Sequence, residues 1–179
     1  MQKNWNKNII KSIMSVFDKT KTYLVNLLIK ESTKQSALPK AIIMDVDDTL
    51  VFTINSKVKF IKINKNSVFL YPGIKPIVQV AQIAKKLGYK IIILTARPRE
   101  SFLSTKFNLD ILQVPYDEIH MNNYNQDISF KYKVRLELLK RYSVLFTIGD
   151  QIGDVNGPPG LLGIKLPSQD SYKVQIYSN

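Results

Sequence analysis

The stretch AIIMDVDDTL, residues 41–50, runs an apolar segment into Asp45, Asp47 and Asp48. A short unbroken apolar run suits a strand buried on both faces of a parallel sheet. Carboxylates clustered at its end repel one another, and burying any of them costs several kcal/mol unless it is compensated. The pattern therefore asks for a cation at this point, and for further ligands from elsewhere in the chain.

Working outward, the chain alternates apolar runs with helical spacing. Residues 57–63 and 67–71 read as a small hairpin with a polar turn. Residues 73–88 carry Ile77, Val80, Ile83, Ala84 and Leu87 at helical intervals, and Gly88 is placed to end that helix. YKIIILT (89–95) and VLFTIGD (144–150) repeat the buried-strand pattern, with shorter candidates at 118–121 and 163–166. Helices are expected over 98–112 and 130–142. Strands alternating with helices predict a doubly wound α/β domain: a central parallel sheet with helices on both faces, a small hairpin flap and no large cap domain. Before it, residues 4–31 predict a basic amphipathic helix through Trp5, Ile9, Ile13, Val16, Phe17, Leu24, Leu27 and Leu28. The expected division is an N-terminal helix and linker at 1–38 and the α/β domain at 39–179.

In such sheets, ligands bind beyond the carboxyl ends of the strands. The reactive residues fall there. The first strand ends at Asp45, with Asp47 two residues on. The second ends at Thr95, followed by Ala96 and Arg97. A later one delivers Asp150, with Asp154 close behind. Lys131 and Lys133 open a helix that can reach the same edge. Carboxylates without a His or Cys pair suit a hard cation such as Mg²⁺, with Asp45 and Asp150 fitting as ligands. A threonine hydroxyl and a lysine are what a phosphoryl group needs. A carboxylate can itself be the nucleophile, and a second one two residues away can protonate the leaving oxygen.

DVDDTL, ILTAR, the lysine opening FKYKVR, and IGDQIGD stand in the order of the four motifs of the haloacid dehalogenase (HAD) superfamily. TARPRESFLSTKFNL, GDQIGDVNG and GIKLP further resemble its acid phosphatase branch (class IIIB), which includes plant vegetative storage proteins. The resemblance covers roughly residues 41–167. It implies an Mg²⁺-dependent phosphomonoester hydrolase. Asp45 would be phosphorylated, and Asp47 would serve as general acid and then general base. Thr95 and nearby backbone amides, with Ala96 and Arg97 among the substrate-binding residues, would hold the phosphoryl oxygens. A lysine would neutralise charge between nucleophile and phosphate. Asp45, the Asp47 main-chain carbonyl and Asp150 would hold the metal, and Asp154 would orient a metal-bound water or the lysine. The branch places an arginine four residues after its lysine, which favours Lys131 over Lys133 because Arg135 follows it. Lys133 lies roughly 200° away around the helix.

Composition bounds the alternatives. The 179 residues suit one domain with a full core. The absence of cysteine excludes disulfides, thiolate zinc sites and a cysteine nucleophile. Net charge is +12. It leaves nucleic acid open as a partner beside a small phosphorylated substrate, and an end-processing phosphatase open as a second function. No run approaches the ~18 apolar residues of a membrane span, though the basic helix leaves peripheral membrane contact open. YLVNLLI (23–29) starts late, contains Asn26 and lacks a clear cleavage site, so a cytoplasmic protein is expected. A catalytically silent storage or binding protein is the reading from another class. It is disfavoured because Asp45, Asp47, Thr95 and Asp150 are all present. His120, the single histidine, is read as structural.

Overall fold

The computed structural model describes residues 7–53, 59–63, 66–122, 129–168 and 173–179. Trp5, the hairpin start at 57–58 and its turn residues 64–65 lie outside these.

Helix α1 spans Lys7–Ser32 and is followed by β1 (Lys40–Met44). A hairpin of β2 (Lys59–Ile63) and β3 (Asn66–Leu70) leads to α2 (Lys75–Lys86) and β4 (Lys90–Pro98). One 3₁₀ turn, Arg99–Ser101, then opens α3 (Phe102–Ile111). The chain continues through β5 (Glu118–Asn122), α4 (Phe130–Arg141), β6 (Ser143–Gly149), the short α5 (Ile152–Val155), β7 (Leu162–Lys165) and β8 (Gln175–Ser178).

Six strands form one sheet in the order β5-β4-β1-β6-β7-β8. All neighbours run parallel except β7 and β8, which pair antiparallel. The central parallel sheet is as expected, and one antiparallel strand extends it at the edge. An edge strand that is mostly exposed needs no apolar run, so QIYS carries none of the buried-strand signal.

Alternate residues of the central strands point to opposite faces. Ile42, Met44, Ile91, Ile93, Phe146 and Ile148 pack with Ile13, Phe17, Leu24 and Leu28 of α1 and with Ile77, Val80 and Ala84 of α2. Ala41, Ile43, Ile92 and Leu94 pack on the other face with Leu138, Phe130 and Val134 of α4. Burial on both faces is why these strands read as continuous apolar runs. Helix α1 lies along α2, buries its apolar stripe there, and donates from Lys21 Nζ to Gln79 Oε1 (3.1 Å). Its C-terminal end is capped from β1: Lys40 Nζ donates to the carbonyls of Glu31 and Ser32, and to that of Lys34 just beyond the helix. Helix α2 ends at Leu87, and Gly88 follows at φ 86°, the left-handed conformation that glycine adopts without steric cost. Among the described residues no helix is long and apolar enough to cross a membrane.

The opposite edge of the sheet is tied by Asp117. Its carboxylate accepts from Lys85 Nζ at the end of α2 (2.7 Å), from Lys90 Nζ (3.0 Å) and from the Ile91 amide (2.9 Å). Burial raises its pKa. The bonds from Lys85, Ile91 and Lys90 outweigh that and hold it below the ordinary carboxylate value. A depressed folded pKa means the contribution is present above the unfolded pKa of about 3.9 and is lost as pH falls through the folded value. Asp117→Asn is expected to cost about 1–2 kcal/mol near neutral pH, the worth of charge-assisted bonds to a partly screened group. The difference from wild type should shrink below about pH 4. Urea unfolding of both proteins across that range checks it.

Candidate active site

The strand order reverses at β1, with β4 on one side and β6 on the other. That is the point where the carboxyl ends of parallel strands open a crevice. Asp45 follows β1 directly, and its amide donates to the Ile148 carbonyl of β6 (3.0 Å), which continues the strand pairing. It shares the parity of Ala41 and Ile43, so its side chain falls on the α4 face. Lys131, in the first turn of α4, meets it there: Lys131 Nζ donates to Asp45 Oδ1 at 2.6 Å and also to Asp154 Oδ1. The Lys131 side chain is 11 % exposed, so it is a buried partner of the cluster. Lys133 is exposed on the outer side of the helix.

Asp150 follows β6. It and Asp154 complete a buried cluster with Asp45, in which one carboxylate oxygen of each lies within 4.8 Å of the others. Asp154 accepts from Lys131 through Oδ1 and from the Gln151 amide through Oδ2 (2.9 Å). Gln151 Nε2 donates to Asp150 Oδ2 (2.5 Å). The loop carrying Asp154 is anchored from below. Arg135, one turn along α4 from Lys131, donates to the carbonyls of Asp154 (3.1 Å), Gly153 (2.8 Å) and Asn156 (2.6 Å). Thr147 Oγ1 donates to the Asp154 carbonyl as well (2.8 Å). Gly149 lies so close that a Cβ there would meet Asp154 Cβ at 2.1 Å. Any side chain at 149 therefore displaces Asp154.

Electrostatics follow from this crowding. Burial, and after it the Asp154 charge, push the Asp45 pKa up to about 8, against the pull of Lys131. Burial and Asp154 push Asp150 up to about 7. Burial lowers the pKa of Lys131, but Asp45 and Asp154 more than offset that and hold it raised, so it stays charged. Among the described residues, Lys131 is the one ammonium bonded to the cluster, and it reaches two of three carboxylates. The excess negative charge and the all-oxygen donor set fit a hard divalent cation.

Asp47 lies apart from this cluster. Its carboxylate is held in a two-point pair by Arg97, with Nε to Oδ2 at 2.9 Å and Nη2 to Oδ1 at 2.7 Å. Thr95 is fully buried, and its Oγ1 accepts from the Arg97 amide (3.2 Å). Asp48 adopts φ 52° and accepts from Thr53 N and Oγ1 (2.7 Å each), so it shapes the turn as its local bonding pattern suggests. Asp45, Asp47, Ala96, Lys131, Asp150 and Asp154 all border one open cavity of about 390 Å³. His120 stands outside it, paired with Glu118 Oε2 (2.8 Å).

The family model for HAD superfamily, subfamily IIIB (acid phosphatase) matches residues 3–174. The chain belongs to this family. A IIIB chain of this build is also similar to solved structures. A chain of the Pnkp1/Rnl/Hen1 complex shares 26 % identity over 69 % of this chain and 46 % of its own length, with a TM-score of 0.54. The class C acid phosphatase of Bacillus anthracis shares 14 % identity over 81 % of this chain and 65 % of its own, with a TM-score of 0.64. The same enzyme with tungstate bound gives 15 % identity, 83 % and 67 % coverage, and a TM-score of 0.62. These last two likenesses speak for the fold. The IIIB chain thus spans 46 % of the first of these relatives and 65 % of the second. No curated protein matches its sequence.

Several residues of this IIIB site were not legible in the sequence. Asn122, Phe130 and Gln151 border the cavity. Tyr71 and Thr105 flank Arg97, the ring 5.5 Å from the guanidinium and the hydroxyl 3.2 Å from Nη1. The hairpin is docked beside them through Asn108, which accepts from the Tyr71 amide (2.9 Å) and donates to the Phe69 carbonyl (2.8 Å). Asn108 is 1 % exposed, and a buried amide with several partners is the one feature here that a sequence can flag, as a polar residue on an apolar helix face.

Proposed function

We propose that the chain is a metal-dependent phosphomonoesterase that works through an aspartyl-phosphate on Asp45. The observation that carries this reading is the buried contact of Asp45 with Lys131, inside the cluster completed by Asp150 and Asp154. Asp45 and Asp150 would hold Mg²⁺, together with the main-chain carbonyl of Asp47. Bound there, the ion supplies charge neutralisation for the transferring phosphoryl group.

The protein's own residues do the rest. The Asp45 carboxylate attacks phosphorus, and the bond to the leaving oxygen breaks. Asp47 gives that oxygen its proton, then takes one from the water that hydrolyses the acyl phosphate. Lys131 lies against the nucleophile and offsets negative charge as it builds on the phosphoryl oxygens. Thr95 and the backbone at Ala96 lie on the β4 side and would contribute donors to those oxygens. Asp154 keeps Lys131 and the Gln151 turn in register. Its two oxygens are already engaged by them, which suits support better than ligation.

The test is phosphate release from an aryl phosphate with Mg²⁺ and after chelation. Turnover should fall about a hundredfold or more on metal removal, in line with the several kcal/mol a Lewis acid supplies. Mg²⁺ at a hundred times its Kd should also stabilise the fold by about 2.7 kcal/mol. Asp150→Asn should abolish that shift. Metal-independent turnover would overturn the proposal.

A second substrate class is supported by the net charge of +12, the open cavity and the 26 % identity to a chain of the Pnkp1/Rnl/Hen1 complex. It is the phosphorylated end of a nucleic acid strand. On this reading kcat/KM for a phosphorylated oligonucleotide falls steeply with salt while that for a small ester does not.

A further inference from the structure

The geometry points to Arg97 as a positioning residue for the proton-transfer step, acting through Asp47 and set in place by the hairpin and α3. This inference rests on the phosphatase reading above. Both oxygens of Asp47 are gripped by one planar guanidinium at 2.9 and 2.7 Å. A two-point fork fixes the plane of a carboxylate as well as its distance. Asp47 needs such help, because its side chain is 41 % exposed and borders open cavity.

Arg97 itself is 12 % exposed and is held on its remaining sides. Its Nη1 donates to Thr105 Oγ1 of α3 (3.2 Å), a hydroxyl that is fully buried. Its guanidinium lies 5.5 Å from the ring of Tyr71, where the hairpin rejoins the domain. Its amide donates to Thr95 Oγ1 (3.2 Å). The arginine is thus oriented by α3, by the hairpin base and by its own strand, and it passes that orientation to Asp47.

A carboxyl group aimed in this way, carrying its proton on a lone pair outside the fork, matters where the leaving oxygen takes up that proton as its bond breaks. An alkyl alcohol leaves poorly without one, whereas a nitrophenolate leaves readily. Positioned proton transfer is typically worth 10²–10⁴-fold. Loss of Arg97 should therefore weigh on alkyl esters far more than on activated aryl esters. The parameter to read is kcat/KM, since it ends at departure of the leaving group and excludes the hydrolysis step that both esters share.

The experiment compares β-glycerophosphate with p-nitrophenyl phosphate for wild type, Arg97→Ala, Arg97→Lys, Asp47→Ala and the Arg97→Ala/Asp47→Ala double variant, all in the full chain with Mg²⁺. The alkyl-to-aryl ratio of kcat/KM should fall about tenfold or more in Arg97→Ala, part of the 10²–10⁴ that proton transfer supplies. Arg97→Lys should fall between, because it keeps the charge and loses the fork. It also carries the test if the alanine variant does not fold. In the Asp47→Ala background, Arg97→Ala should move the ratio by less than about twofold, since the group it positions is already gone. An equal loss on both esters, or a ratio change that persists without Asp47, would overturn the inference and make Arg97 a direct phosphoryl contact or a fold residue. Absence of metal-dependent turnover in wild type on either ester would instead overturn the phosphatase reading, and this inference with it.

Discussion

Asp45→Asn is expected to lower phosphate release by on the order of 10⁴-fold or more, the scale on which removing a nucleophile acts while the binding groups remain. The amide has nearly the same shape as the carboxylate. Its oxygen can still accept from Lys131, which now holds Asp45 at 2.6 Å. What it lacks is the anionic oxygen that attacks phosphorus. The substitution should leave the fold intact. Burial and the Asp154 charge both disfavour an ionised group at this position, so a neutral one relieves repulsion. Unfolding midpoints measured beside the kinetics separate the two effects. Lost turnover with an undiminished midpoint is the expected pair. Turnover that survives would assign the chemistry to another group.

Arg135→Met should have the largest effect on stability. The guanidinium is 1 % exposed, and burial lowers its pKa to about 10, so it is buried and still charged at neutral pH. It reaches three carbonyls of the loop that carries Asp154. Methionine matches much of the bulk but offers no donor, so the Gly153 and Asn156 carbonyls lose this bond and the Asp154 carbonyl keeps the one from Thr147. Hydrogen bonds from a charged donor are worth about 1.5–3 kcal/mol each, so losing three, with one acceptor still served by Thr147, costs about 3–5 kcal/mol. At about 2–4 °C per kcal/mol for a chain of this size, the midpoint should drop by about 6–20 °C. Arg135→Lys should recover only part of this, because a single ammonium cannot span the three acceptors. Thermal denaturation checks both. A loss below about 1 kcal/mol would mean that the Thr147 bond to the Asp154 carbonyl holds the loop without Arg135.

The legible part of this protein is the part written locally. Buried parallel strands announce themselves as apolar runs, and the residues just beyond them are then placed on one edge by topology alone. Strand order alone thus assigns Asp45, Thr95 and Asp150 to one edge of the sheet. The choice of Lys131 over Lys133 rests on its spacing to Arg135, and the structure gives that spacing a physical sense. One turn of α4 points Lys131 at the cluster and Arg135 at the loop beneath it. The illegible part is what depends on distant partners. Nothing near Arg97 in sequence indicates that it pairs with Asp47, fifty positions away. Tyr71 and Thr105 join it from a hairpin and a helix whose docking depends on Asn108. β8 was missed for the opposite reason: an exposed edge strand of four residues has too little apolar periodicity to register.

The central claim is that the phosphoryl group passes through Asp45, and it can be read directly. The protein is turned over with Mg²⁺ and an aryl phosphate, quenched in acid, and reduced with borohydride, which converts an aspartyl-phosphate to homoserine. Peptide mass spectrometry then locates the product. Homoserine at position 45, absent without substrate and absent in Asp45→Asn, is the predicted result. Homoserine at another aspartate, or turnover with no residue modified under conditions that trap acyl phosphates, would contradict the account.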